Sequence, residues 1–313
     1  MQQRFNVPAS ARTVGGAVLA IVALAALTAC GGGGGDSTPA TVTSMTVAAT
    51  KYGTPALITI QGTHLTNLAL QSSGCKSFAR LTTAPTASTD TTAYWSCTPS
   101  GSYSSTILAI SNGQTLSTQP FTVPAPIVTM TVSGGGVNGT IVFNLKGNTA
   151  PTTVDNFLRY VNSGFYTGTV FHRVIDFNNP QVGPEYDVVQ GGSYGAVTSG
   201  TLPTPKVTNF DPIAFETTGG GNVQWTAAMA RTADLNSATS GFFFNVKNNT
   251  AAFDPSSGPG YAVFADVSTS AAVITQISQI SGSACTSLSP SGFNDGSCVP
   301  IPNVVVTTAT QTQ

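Results

Sequence analysis

Val170-Phe171-His172-Arg173-Val174-Ile175, then Val188-Val189-Gln190-Gly191-Gly192, then Phe242-Phe243-Phe244-Asn245-Val246 are the stretches on which the fold turns. Each is short, rich in β-branched and aromatic residues, and bounded by glycine or polar residues, which predicts strands. Side chains alternate along a strand, so Phe242 and Phe244 share one face and Phe243 takes the other. Arg173 lies between apolar residues in the first of these strands. The chain holds only 11 Lys and Arg together, so an arginine in that setting is a candidate functional group.

Working outward, Ile127–Ser133 and Thr140–Leu145 alternate around Gly134-Gly135-Gly136, a hairpin pattern. Further strands are expected at Trp225–Ala230, Tyr261–Val267 and Val304–Thr308. Val154, Phe157, Leu158 and Val161 fall at i, i+3, i+4, i+7 and predict a helix. Pro151 suits its first turn, Asn148 or Thr149 can cap it, and Gly164 suits its stop. A second helix is expected over Ala271–Ile280, with Val273, Ile277 and Ile280 inward. Many strands with one helix near each end predict a barrel capped by two helices. The fold class is mainly β.

Upstream, Pro124-Ala125-Pro126 reads as a stiff hinge. Residues 40–123 hold short β-prone runs separated by turns such as Asn112-Gly113. They predict a small immunoglobulin-like β-sandwich with no catalytic set. At the start, Arg4 and Arg12 precede an apolar run, Val14–Leu27, too short to span a bilayer comfortably. It ends in Leu27-Thr28-Ala29-Cys30, which resembles the lipobox of bacterial lipoproteins. Residues 1–29 then read as a signal peptide, Cys30 as the lipidation site and residues 30–39 as a Gly-rich tether. Gly31, rather than Asp, after the cysteine points to the outer membrane, facing the periplasm. Of five cysteines, lipidation accounts for Cys30. The other four form two local pairs, Cys75 with Cys97 and Cys285 with Cys298, suited to disulfides in an oxidising compartment. No C-x-x-C occurs, and His64 and His172 lie far apart, so no metal site is expected. Charged residues are 7% of the chain and the net charge is −1. That balance argues against nucleic acid as a partner.

Taken together and in order, Asn156-Phe157-Leu158, Gly164-Phe165-Tyr166, the Phe171–Ile175 motif, Val189-Gln190-Gly191-Gly192, Ala228-Met229-Ala230-Arg231-Thr232, Asn236–Ser240, Phe242–Val246 and Gly260–Val267 resemble a bacterial cyclophilin, a peptidyl-prolyl cis-trans isomerase. The likeness covers about residues 127–308. It implies a closed antiparallel eight-stranded barrel with two capping helices. It also implies that no cofactor takes part and that proline-containing peptides or unfolded exported proteins are the partners, beside the membrane that holds the lipid anchor.

The barrier to prolyl rotation is roughly 18–20 kcal/mol and comes from amide resonance. A donor near the prolyl nitrogen weakens that resonance, an apolar pocket holds the ring, and polar groups hold the flanking backbone. By resemblance Arg173 is the catalytic donor and Gln190 holds the substrate backbone. Val188, Phe243, Phe253 and Tyr261 form the proline pocket, and Ala230 and Arg231 line the groove for the preceding residue. His172 reads as structural. Two departures stand out. The connection Asp176–Val189 is longer than the family's, which places Asp187 where a pocket aromatic is expected and leaves Phe177 or Tyr186 to replace it. Gly241 stands where the family has a substrate-holding Gln. These departures keep open a rival reading, a non-catalytic module that binds proline segments as a chaperone.

Overall fold

The computed structural model describes residues 38–175, 186–196, 203–218, 220–254, 260–281, 285–286 and 297–313. The expected signal peptide, Cys30 and residues 31–37 of the tether lie outside them. Among the described residues no helix is long and apolar enough to cross a membrane. Residues 39–313 form one compact unit.

Seven strands come first: β1 (Thr41–Val47), β2 (Ala56–Thr63), β3 (Ala69–Gln71), β4 (Cys75–Arg80), β5 (Thr92–Pro99), β6 (Ser104–Ser111) and β7 (Gln114–Thr122). They form two antiparallel sheets, ordered β1-β2-β5-β4 and β3-β6-β7. Alternate residues point inward, so Ile58 and Ile60 of one sheet and Ile107 and Ala109 of the other are buried. A disulfide joins Cys75 to Cys97 across β4 and β5, with the Cα atoms 5.5 Å apart.

The second half begins with the hairpin β8 (Ile127–Gly134) and β9 (Val137–Leu145), then α1 (Pro151–Asn162), β10 (Thr169–Ile175), β11 (Val188–Gly195), β12 (Thr204–Pro205), β13 (Thr226–Met229) and β14 (Phe242–Asn245). It continues with the single turn α2 (Thr250–Phe253), β15 (Val263–Asp266), α3 (Ala271–Ser278), β16 (Cys285–Thr286), β17 (Val299–Pro300) and β18 (Val305–Gln311). The order β10-β18-β8-β9-β15-β13-β14-β11, with β11 returning to β10, closes an eight-stranded barrel. β12 extends β11 outside the ring. The β8–β9 turn needs its glycines: Gly134, Gly135 and Gly136 all have positive φ, and a Cβ on Gly134 would collide with the Asn303 carbonyl.

An aromatic core fills the barrel. Phe143, Phe157, Phe171, Phe242, Phe244 and Phe264 are all fully buried. Their rings meet tilted or edge-on, Phe157 at 4.8 Å from Phe264 and Phe143 at 5.5 Å from Phe242, the geometry that ring quadrupoles favour. Phe157 projects into this core from α1, and Ile274 and Ile277 are buried from α3.

Two helix expectations need correction. Neither Asn148 nor Thr149 caps α1; the N-cap is Ala150, with no side-chain bond of its own. Glu216 does the work from a distant loop, its carboxylate accepting from Thr152 N, Thr153 N and Thr153 Oγ1 at 3.1, 2.9 and 2.8 Å. In α3 the inward position is Ile274 rather than Val273, which stays half-buried over Gly139. Cys298 is disulfide-bonded, and the side chain of Cys285 lies outside the described residues.

The two halves share a seam beside Pro124-Ala125-Pro126. Tyr52 is fully buried; its hydroxyl donates to Gly147 O at 3.2 Å and accepts from Gly101 N at 2.8 Å. Tyr103 Oη donates to Leu145 O at 2.8 Å and accepts from Gly147 N at 2.7 Å. Lys76 Nζ pairs with Asp155 Oδ2 of α1 at 3.0 Å. Lys51 Nζ donates to Gln311 O, and Gln311 Nε2 donates to Tyr52 O.

Candidate active site

Register places the site. Arg173 on β10 lies opposite Gln190 on β11, Gln190 opposite Phe243 on β14, and Phe243 opposite Ala228 on β13. These residues form one row across four strands. Because Phe242 and Phe244 point into the barrel, Phe243 points out of it. It packs in a separate small cluster with Ile175, Val188, Ala228 and Val263, flanked by Tyr186, Ala230, Phe253 and Tyr261.

Over this row lies a cleft of about 630 Å³ lined by Arg173, Val188, Gln190, Ala230, Arg231, Phe243, Phe253 and Tyr261, together with Tyr186, Thr232 and Ala233. Every residue assigned to substrate by resemblance is therefore in one place. Arg173 is 9% exposed. Its Nη1 donates to Gln190 Oε1 at 2.9 Å and its Nη2 to the Tyr186 hydroxyl at 3.2 Å. A buried guanidinium loses hydration and depends on such acceptors. Charge-assisted bonds of this kind also fix its plane.

The apolar end is a triangle of rings. Phe243, Phe253 and Tyr261 meet edge-on with centroids 5.2–5.4 Å apart. Arg231 braces the rim: Nε and Nη2 donate to Gly260 O, Nη1 donates to Thr232 O, and the guanidinium lies 4.7 Å over Tyr261. The cleft thus offers an apolar floor with a cation and an amide at one edge, which suits a ring flanked by peptide groups.

Residues 127–310 match the family described as cyclophilin type peptidyl-prolyl cis-trans isomerase/CLD. The chain belongs to that family. The peptidyl-prolyl cis-trans isomerase cyp18 of Streptomyces antibioticus is 39% identical over 176 residues, which is 55% of this chain and 92% of the relative. Peptidyl-prolyl cis-trans isomerase A of Dickeya dadantii is 39% identical over 142 residues, 45% of this chain and 67% of the relative. A solved cyclophilin-type isomerase of Cryptosporidium parvum, crystallised in the presence of the dipeptide Ala-Pro, has a TM-score of 0.42 and 16% identity over 60% of this chain and 99% of its own.

Several features of this cyclophilin site go beyond what the sequence alone assigns. Tyr186, one of the two candidates for the expected aromatic, lines the cleft with its ring 4.7 Å from Phe253; Phe177 lies outside the described residues. Asp187 is buried, and Asn249 holds its backbone. Thr232, the last residue of the Ala228–Thr232 motif, and Ala233 also join the groove, a role the sequence did not assign to either. At Gly241 the missing side chain has left room for Ser193: a Cβ there would meet Ser193 Oγ. His172 is 1% exposed and packs against Tyr194 at 4.3 Å. Burial lowers its pKa to about 3, so it is neutral at physiological pH, consistent with a structural role.

Proposed function

We propose that the chain catalyses cis–trans isomerisation of peptidyl-prolyl bonds, with Arg173 as the donor. The observation that carries this is the row Arg173–Gln190–Phe243, which sets a charged donor and an amide beside an apolar pocket on three neighbouring strands. No σ bond breaks in the reaction. The amide need only twist, which localises a lone pair on the prolyl nitrogen and restores the carbonyl. Phe243, Phe253 and Tyr261 hold the ring, Gln190 holds the adjoining peptide group, and Arg173 donates to the nitrogen as its lone pair develops. Each contact that strengthens on twisting lowers the barrier. The test is exchange between the cis and trans forms of an Ala-Pro peptide, followed by NMR with and without the chain. Tight peptide binding with no acceleration would instead support the chaperone reading, for which Asp187 and Gly241 are the supporting departures.

The setting of this activity is the exported compartment, with proline-containing segments of unfolded exported proteins as substrates. Leu27-Thr28-Ala29-Cys30 supports a lipid anchor at Cys30, and the Cys75–Cys97 disulfide supports oxidising surroundings. Gly31, in place of Asp after the cysteine, supports outer-membrane attachment facing the periplasm. Mass spectrometry of the mature N-terminus should show a diacylated Cys30; an unmodified thiol would rule the anchor out. The first seven strands belong to an immunoglobulin-like sandwich. The supporting feature is their order, β1-β2-β5-β4 against β3-β6-β7, which reproduces the ABED and CFG sheets of that architecture.

A further inference from the structure

Tyr186 enters the cleft from the lengthened connection between β10 and β11, outside the shared motifs. Its ring faces Phe253, and its hydroxyl accepts from Arg173 Nη2 at 3.2 Å. The guanidinium carbon stands 5.9 Å from the Tyr186 ring centre. The backbone that aims this ring is clamped from below. Asn249 Oδ1 accepts from Asp187 N at 3.1 Å, Asn249 Nδ2 donates to Asp187 O at 2.9 Å, and Val246 N donates to the same carbonyl. Asn249 is 1% exposed and donates also to Asn245 Oδ1, while Asn245 Nδ2 donates to Thr226 Oγ1. A chain of buried amides therefore roots Tyr186 in the barrel wall. The two terminal nitrogens of Arg173 are held separately, Nη1 by Gln190 and Nη2 by Tyr186.

We infer that Tyr186 is a positioning residue for Arg173: its hydroxyl holds the guanidinium plane against the cleft while its ring serves as a pocket wall. The inference rests on the isomerase reading above. One oxygen separates the two tasks. Phenylalanine supplies the wall and lacks the acceptor; leucine lacks both ring and acceptor. An orienting contact acts on the rate of the bound complex, whereas a wall acts on substrate affinity.

The experiment measures kcat and KM of the full chain on an Ala-Pro peptide, with Tyr186→Phe made alone and in an Arg173→Ala background. Tyr186→Phe should lower kcat about fivefold and leave KM within about twofold, since only an orienting bond is lost. Tyr186→Leu should lower kcat similarly and raise KM as well. In the Arg173→Ala background, Tyr186→Phe should change the rate less than about twofold, because the hydroxyl has nothing left to orient. A Tyr186→Phe variant that matches the parent overturns the inference and leaves the isomerase reading standing. So does a loss that persists in full without Arg173, or one that falls on KM alone. A parent chain that gives no acceleration overturns the isomerase reading, and the inference with it.

Discussion

Arg173 and His172 are neighbours on β10 with opposite surroundings, and each carries a prediction. Arg173 opens on the cleft. Arg173→Ala removes one charge-assisted contact that forms on twisting, about 1.5–3 kcal/mol, or roughly ten- to hundredfold in isomerisation rate. Arg173→Lys should restore only part, because an ammonium lacks the planar fork that Gln190 and Tyr186 hold. Peptide exchange by NMR measures both, with circular dichroism expected to be unchanged. His172 is sealed. Its pKa in the folded chain is about 3, below the ordinary 6.5. Between those values the unfolded chain takes up a proton that the folded chain refuses. The stability held above pH 6.5 is therefore lost as the pH falls toward 3, by up to about 1.4 kcal/mol per pH unit. Urea denaturation at pH 7, 5.5 and 4 should show that slope, and His172→Phe should flatten it. An equal slope in both proteins would place the acid sensitivity elsewhere. The difference between the two residues was legible in part. Strand alternation separates Phe243 from Phe242 and Phe244 on paper. It could not say which residue of the lengthened Asp176–Val189 connection would reach Arg173, because that depends on where the chain bulges. Tyr186 was one of two candidates for the aromatic, with Phe177, but its hydroxyl contact with Arg173 emerges only in three dimensions.

Element by element, α1 shows where local pattern stops being informative. Its apolar face was readable from Val154, Phe157, Leu158 and Val161, all of them buried. Its cap was not. Helix starts are usually satisfied by the residue just before them, and Asn148 and Thr149 both have the chemistry. The bonds come from Glu216, which no local window contains. Its carboxylate answers two backbone N–H groups and a hydroxyl, and its charge opposes the positive end of the helix. Glu216→Ala should destabilise the chain by about 1–2 kcal/mol, the usual range for a lost cap. Glu216→Gln should cost less, since an amide oxygen can still accept. Thermal melts compare the two, with a fall of several degrees expected for alanine. Similar melts for both variants and the parent would show that α1 needs no cap. In α3 the fully buried position is Ile274, one residue on from Val273, which packs half-buried at the edge of the core, a rotation that a window of alternating apolar residues does not resolve.

At the scale of the molecule, the barrel was the most legible part, because collinear motifs and the strand count agreed. The seam was the least. Pro124-Ala125-Pro126 carries the composition of a spacer, yet Tyr52, Tyr103 and Lys76 from the first half all bond to the second. Nothing in the period or polarity of these three residues marked them as contacts. Tyr52→Ala should cost about 3–5 kcal/mol, the range for truncating a large buried aromatic. Tyr52→Phe leaves Gly101 N and Gly147 O without their partner and should cost about 1–3 kcal/mol. Calorimetry should give a single transition for the parent and separated transitions for Tyr52→Ala. A parent with two transitions would show that the seam transmits no stability between the halves.

The closure of the barrel by β18 bears on when this protein can fold. β18 lies between β8 and β10, pairing Val128 with Gln311 and Met130 with Ala309. As the chain is made from its N-terminus, β8 and β9 can form their hairpin early, yet β8 keeps a bare edge until Val305–Gln311 has been added. Such an edge invites strand addition from other chains, and pairings this distant in sequence are slow to form. A catalyst of folding built on this plan would pass through its own interval of exposure, in which the late arrival of Val305–Gln311 decides between a sealed cylinder and an open sheet.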